Sequence, residues 1–170
     1  MIAVYVDDMI LAGKTDERVA QVKKDLCSRF KAKDMGELHY FLGMKVIQNS
    51  NSEVWIGQPT YTQDILEKFG MQDTKPVNTP FDISSKLTDA AEDDVVDQEL
   101  YQSAVGSLLY LSITTRPDIA FAVSSVSKYC ARPTKQHWTA VKRIMRYLKG
   151  TLNYCLCYVL PELKQCVGFF

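Results

Sequence analysis

Met1-Ile2-Ala3-Val4-Tyr5-Val6-Asp7-Asp8-Met9-Ile10-Leu11-Ala12-Gly13 opens the chain, and the rest is read outward from it. Residues 1–6 and 9–12 are rich in strand formers, and only Asp7 and Asp8 separate them. Two strands joined by two residues make a hairpin, but such turns favour Asn-Gly or other glycine-containing pairs. Asp-Asp conflicts with that preference, and local conflicts of this kind concentrate at functional sites. Two carboxylates about 4 Å apart repel by about 4 kcal/mol at an effective dielectric near 20. A divalent cation relieves that repulsion, and hard oxygen ligands suit magnesium or manganese. Within a regular strand neighbours face opposite ways, so only turn geometry lets both acids approach one site. An exposed acidic turn is the plain alternative.

Downstream of the hairpin, Thr15 is placed to cap a helix running to about Phe30, with Asp16 and Glu17 in its first turn. Leu38 to Gln48 reads as a strand, residues 49–52 as a turn and Glu53 to Gln58 as the partner strand. Thr60 is the expected cap of a second helix, which Gly70 ends. From Lys75 to Asp97, prolines and acids accumulate without periodicity, which predicts an exposed, mobile connector. Helices then follow over about 99–113, from Arg116-Pro117-Asp118 to Cys130 or Ala131, and from a Thr134 cap to Gly150. Leu152 to Val159 alternates as a strand.

The chain has 170 residues, 46% hydrophobic and 24% charged, enough for a core and too apolar for dominant disorder. Its most apolar stretch, Ala104 to Ile113, is about half the length of a bilayer span. No secretory leader is visible, and five scattered cysteines suit reduced thiols, so an intracellular, cytoplasmic or nuclear setting is expected. Zero net charge hides an asymmetry: residues 1–100 carry 11 basic against 18 acidic side chains, residues 101–150 carry 8 against 1. A local field of +7 keeps nucleic acid among the candidate partners. His39 and His137 lack cysteines at zinc-like spacing and read as core or surface residues; Cys155 and Cys157 read as packing.

Tyr5-Val6-Asp7-Asp8 with Met9-Ile10-Leu11-Ala12-Gly13 resembles the palm hairpin of reverse transcriptases. Further ordered blocks resemble the copia-type class of LTR retrotransposon Pol polyproteins: Phe41-Leu42-Gly43, Gln58-Pro59-Thr60-Tyr61, residues 101–111, Thr115-Arg116-Pro117-Asp118-Ile119-Ala120 and residues 137–151. The resemblance implies that Asp7 and Asp8 hold Mg2+ or Mn2+, that Tyr5 and Val6 lie beside the primer terminus and incoming nucleotide, and that Phe41, Leu42 and Gly43 grip the primer. A bulge or bend in a plain hairpin is the other reading of Gly43. Helices after Thr60 would form a thumb on the template–primer duplex.

The family's palm needs a further carboxylate from an earlier strand and basic groups in the fingers, and the stretch from Met1 on, which opens four residues before Tyr5, is expected to lack both. No acid follows Val167-Gly168-Phe169, where the resemblance places a ribonuclease H aspartate. Both active sites are therefore expected to be incomplete. The third C-terminal helix places Lys135, Lys142, Arg146 and Lys149 in a cationic strip with Arg143 beside it. The strip reads either as a phosphate-binding face or as a solvated one, and Trp138 reads as core.

The expected fold class is α+β: a partial polymerase palm with antiparallel hairpins, a helical thumb-like region and a C-terminal β-hairpin. The expected domains are 1–58 (partial palm), 59–151 (thumb and connection helices with an acidic linker at 75–97) and 152–170 (the start of a ribonuclease H-like domain). The expected function is a fragment of an RNA-directed DNA polymerase, inactive alone; the alternative is a non-catalytic nucleic-acid-binding remnant using the basic helices of 116–149. Expected partners are an RNA template, RNA–DNA or DNA duplexes and deoxynucleotides, with no membrane, and a homodimer through uncovered palm surface.

Overall fold

The computed structural model describes residues 1–49, 53–84, 87–88 and 94–159. It is a mixed α+β structure that divides into two compact units, Met1–Leu42 and Gly43–Phe170.

In the first unit, β1 (Ile2–Tyr5) and β2 (Asp8–Leu11) form an antiparallel hairpin that pairs Ile2 with Leu11 and Tyr5 with Asp8. This register shifts the expected turn by one residue: Val6 and Asp7 form the loop, and Asp8 opens β2. Helix α1 (Asp16–Arg29) begins as its sequence predicts, with the Thr15 hydroxyl accepting from the Arg18 amide at 3.4 Å. Val19, Val22 and Leu26 along it are half-buried, and no residue of this unit is fully buried. The strand expected over Leu38–Gln48 is interrupted. After β3 (Tyr40–Phe41), Leu42 and Gly43 take φ values of +50° and +75°, a left-handed pair that the glycine accommodates without cost.

The second unit holds the core. Strands β4 (Met44–Asn49), β5 (Glu53–Gly57) and β6 (Leu156–Val159) are antiparallel neighbours in that order, with Lys45 opposite Gly57 and Ile56 opposite Leu156. The hairpin expected at the C-terminus would need residues 160–170, which lie outside the described ones; the partner seen for β6 is β5. The expected ribonuclease H catalytic position lies outside them too.

Four helices enclose the apolar centre: α2 (Pro59–Lys68), α3 (Gln98–Thr114), α4 (Ala120–Ser127) and α5 (Lys135–Gly150). The N-cap of α2 is Gln58 rather than Thr60, because Pro59 has a fixed φ suited to the first helical position. Asp97 caps α3 by accepting from the Glu99 and Leu100 amides at 2.9 and 3.2 Å. A 3₁₀ turn at Pro117–Ile119 leads into α4, which stops at Ser127, short of the Cys130 expected. Leu108 and Leu111 of α3, Val123 of α4, and Ile144 and Leu148 of α5 are wholly enclosed. Tyr101 is enclosed as well, its hydroxyl donating to the Val126 carbonyl at 2.8 Å. Among the described residues no helix is long and apolar enough to cross a membrane.

Candidate functional site

The acidic hairpin presents its functional atoms at a bend and on one strand face. Tyr5 and Asp8 are direct cross-strand partners and so project to the same face, while Asp7 occupies the second turn position. Val6, the first turn position, has φ +50°. A β-branched residue in that conformation is an outlier, and such strain gathers where a backbone is held for function. Tyr5, Val6, Asp7 and Asp8 are all exposed. Their donor chemistry, two hard carboxylates next to each other, suits a magnesium-type ion. Among the described residues no group of three or more His, Cys, Asp or Glu side chains comes together. Phe41 and Leu42 close the first unit and are half-buried, and Gly43, exposed, opens the second.

The second candidate surface is the basic face of α5. Val141, Ile144, Met145 and Leu148 turn inward, which leaves Lys135, Lys142 and Arg146 outward with Arg143 and Lys149 flanking them. Trp138 is half-buried against Phe69 and Tyr101, in keeping with a core role. Most of the cations are already engaged. Lys149 Nζ donates to the Thr74 carbonyl and Arg146 Nε to the Lys75 carbonyl, both at 2.7 Å. Arg143 Nη2 donates to Thr79 Oγ1 at 2.9 Å, and its Nη1 lies 3.8 Å from Asp82. Lys135 pairs with Asp94 at 2.7 Å.

The segment expected to be an exposed, mobile connector is thus bound along α5 in its described parts. It runs antiparallel to the helix, from Thr74 at Lys149 to Val95, which bridges to Thr134. Val77, Phe81, Leu87 and Val96 pack against the core, and a Cβ on Gly150 would stand 3.1 Å from Pro76. His137 is fully buried beneath it, stacked on Tyr129 at 3.8 Å. Its Nδ1 accepts the Thr134 amide at 3.1 Å, which leaves Nε2 to donate to the Thr88 carbonyl at 3.1 Å. The ring is therefore the neutral Nε2–H tautomer, a core residue as expected.

A family model described as reverse transcriptase (RNA-dependent DNA polymerase) matches residues 1–83. Over 165 residues the chain is 42% identical to the retrovirus-related Pol polyprotein from transposon TNT 1-94 of Nicotiana tabacum, covering 93% of this chain and 12% of that one. It is 40% identical over 151 residues to the Pol polyprotein from transposon RE2 of Arabidopsis thaliana, covering 89% and 10%. An uncharacterized mitochondrial protein of Arabidopsis thaliana is 37% identical over 168 residues, covering 98% of this chain and 68% of that one. This chain belongs to the reverse transcriptase family of copia-type transposon Pol polyproteins. It spans about a tenth of the length of the curated polyproteins it matches. No solved structure matches it.

Several blocks that mark this reverse transcriptase fragment turn out to be architectural. Arg116, 2% exposed, donates through Nε and Nη2 to the Asp118 carboxylate at 3.0 and 2.8 Å. Its Nη1 and Nη2 also reach the Thr151 carbonyl and hydroxyl at 3.0 and 2.6 Å. Tyr147 donates to Asp118 at 2.8 Å, and the rings of Tyr147 and Tyr154 flank the guanidinium at 5.6 and 5.5 Å. Burial pushes the Asp118 carboxyl upward, but hydrogen bonds from Arg116 and Tyr147 outweigh it and hold it below the usual carboxylate range. The same burial and the Asp118 charge raise Tyr147. At the start of α2, the buried Gln58 side-chain oxygen accepts from the hydroxyls of Thr114 and Thr115, tying α2 to the end of α3. The signal that could have flagged this cluster was Arg116 directly after an apolar helix: an arginine so placed needs a carboxylate nearby.

Proposed function

We propose that this chain supplies, to a transposon reverse transcriptase, the acidic hairpin and the duplex-facing helices of RNA-directed DNA polymerisation. The parent reaction is attack of a primer 3′-hydroxyl on the α-phosphate of a deoxynucleotide. The observation that carries the reading is the hairpin register, which puts Asp7 in a strained turn and Asp8 on the same face as Tyr5. Asp7 and Asp8 would hold Mg2+ or Mn2+; when bound, such ions lower the nucleophile's proton affinity and neutralise developing charge. Tyr5, beside Asp8, is placed to pack against a nucleotide, and Val6 exposes its backbone at the tip. Leu42 and Gly43 offer a left-handed turn by which backbone approaches a primer strand closely.

Two carboxylates leave the metal site short of ligands, so the chain on its own is expected not to polymerise. Manganese titration followed by NMR tests the site. Broadening of the amides of residues 5–9 that disappears in D7N/D8N is expected; broadening unaffected by that double substitution would refute the assignment. Magnesium-dependent primer extension by the purified chain would refute the expected inactivity.

A second reading, a non-catalytic nucleic-acid-binding remnant, is favoured by the alignment of Lys135, Lys142 and Arg146 on the outward side of α5. Its test is salt-dependent binding of an RNA–DNA duplex that weakens in K142A.

A further inference from the structure

The cations of α5 that the sequence offers to phosphates are held by two different kinds of partner. At the C-terminal end, Arg146 and Lys149 donate to main-chain carbonyls, at Lys75 and Thr74. Those carbonyls belong to a stretch fixed by apolar burial of Val77 and Phe81 and by the close approach of Pro76 to Gly150. A phosphate could take these two cations only by pulling core contacts apart. Further along, the partners are carboxylates in water. The Lys135 and Asp94 side chains are 73% and 57% exposed, and those of Arg143 and Asp82 are 32% and 45% exposed. Exposed ion pairs of this kind contribute little and weaken with salt.

Between the two pairs lies Lys142, one residue before Arg143 and two helical turns from Lys135, on the outward side. It has no hydrogen-bond or ion-pair partner among the described residues. Arg143 is itself underused: its contact with Asp82, at 3.8 Å, is too long for a hydrogen bond, and its Nε has no partner. Three cations therefore line α5 between Lys135 and Arg143, restrained by two acids of the same chain.

We propose that the described parts of the acidic segment, residues 74–84 and 94–96, act as an internal polyanion mimic: they cover the cationic line of α5, and a nucleic-acid backbone displaces Asp82 and Asp94 to reach Arg143, Lys142 and Lys135. Arg146 and Lys149 are positioning residues that anchor the segment and stay with it. The proposal rests on α5 being a nucleic-acid surface, and it adds that the surface is masked in the free chain. A backbone presenting several phosphates gains by releasing its own condensed counterions, a gain the two isolated carboxylates lack.

The test is anisotropy of a labelled RNA–DNA duplex with the whole 170-residue chain at about 50 and about 150 mM salt. In D82N/D94N the side-chain oxygen that Ser84 uses at residue 82 is kept, so the local turn survives. This variant should bind about threefold to tenfold tighter than the native chain, as removal of two weak competitors predicts. Its salt slope should steepen by about 0.9 for each cation released. D64N/E67Q changes the net charge equally but on exposed acids of α2, and should shift affinity by less than about twofold. Adding K135A and R143A to D82N/D94N should remove most of the gain, because these are the two cations that the acids hold. Equal tightening in both acid variants, or none in D82N/D94N while the native chain binds and K142A weakens it, overturns the masking and leaves the surface in place. Failure of native chain and D82N/D94N alike at low salt overturns masking and surface together. Unchanged urea midpoints by the fluorescence of Trp55 and Trp138 would show that D82N/D94N remains folded, and a collapsed midpoint counts against a displaceable cover.

Discussion

Arg116 and Asp118, two residues apart, close a two-point ion pair with N···O distances of 3.0 and 2.8 Å around a guanidinium that is almost fully buried. The pair also ties Pro117–Ile119 to Thr151, at the far end of α5. Removing the guanidinium takes the donors from the part-exposed Asp118 carboxylate and from the Thr151 carbonyl and hydroxyl, so R116A should lose about 2–3 kcal/mol of stability. R116K should recover only part of it, because one ammonium cannot reproduce the fork. Trp55 and Trp138 both lie in the second unit, so urea unfolding followed by their fluorescence reports that unit alone. A loss under about 1 kcal/mol for R116A would mean that the network is incidental.

Asp118 also sets an acid limit. Its carboxyl is held below its ordinary value, so its stabilisation is complete above the unfolded-state value near 4 and is lost as pH falls through the lowered folded-state value. D118N should be less stable than the native chain at pH 7, and the difference should shrink toward zero as the pH drops through and below that range. Urea midpoints of the two proteins across the acid range check this; a gap that stays constant down to pH 2 would remove Asp118 as its cause.

Val6 stores strain in the turn. A left-handed β-branched residue costs about 1–2 kcal/mol, which glycine or asparagine would avoid. V6G or V6N should therefore strengthen the hairpin, seen as slower exchange of the Met1–Ala12 hydrogen-bonded amides and stronger cross-strand contacts between Tyr5 and Asp8. Weaker protection in both variants would show that the Val6 side chain itself holds the turn.

His137 joins the Thr134 cap to the Thr88 carbonyl. H137F keeps the stacking on Tyr129 but leaves a buried N–H and a carbonyl without partners, a loss of about 2–3 kcal/mol. H137A should lose more, because it adds a cavity. Equal loss in the two variants would assign the whole effect to hydrogen bonding.

Local chemistry carried much of the fold. Thr15 and Thr134 cap α1 and α5 because a hydroxyl at a helix start needs no distant partner. The pairing of Asn49 with Glu53 follows from the short polar spacer Ser50-Asn51-Ser52 between two apolar stretches of the sequence. Where a non-local partner decided the outcome, sequence patterns fell short. Apolar alternation located β6 but gave no sign that β5, about a hundred residues upstream, would pair with it. Thr60 looked like the cap of α2, yet Pro59 and the distant Thr114 and Thr115 hydroxyls made Gln58 the junction.

By itself the sequence determined the order of elements, the family and the acidic turn, since caps, alternation and motif spacing are written in neighbouring residues. Tertiary structure decided which face each charge meets. It moved the turn to Val6 and Asp7 through strand register, turned Arg116 inward onto Asp118, and laid an acidic segment along the basic helix. Charge patterning along a chain records how many cations are present; only packing records which of them already hold a partner.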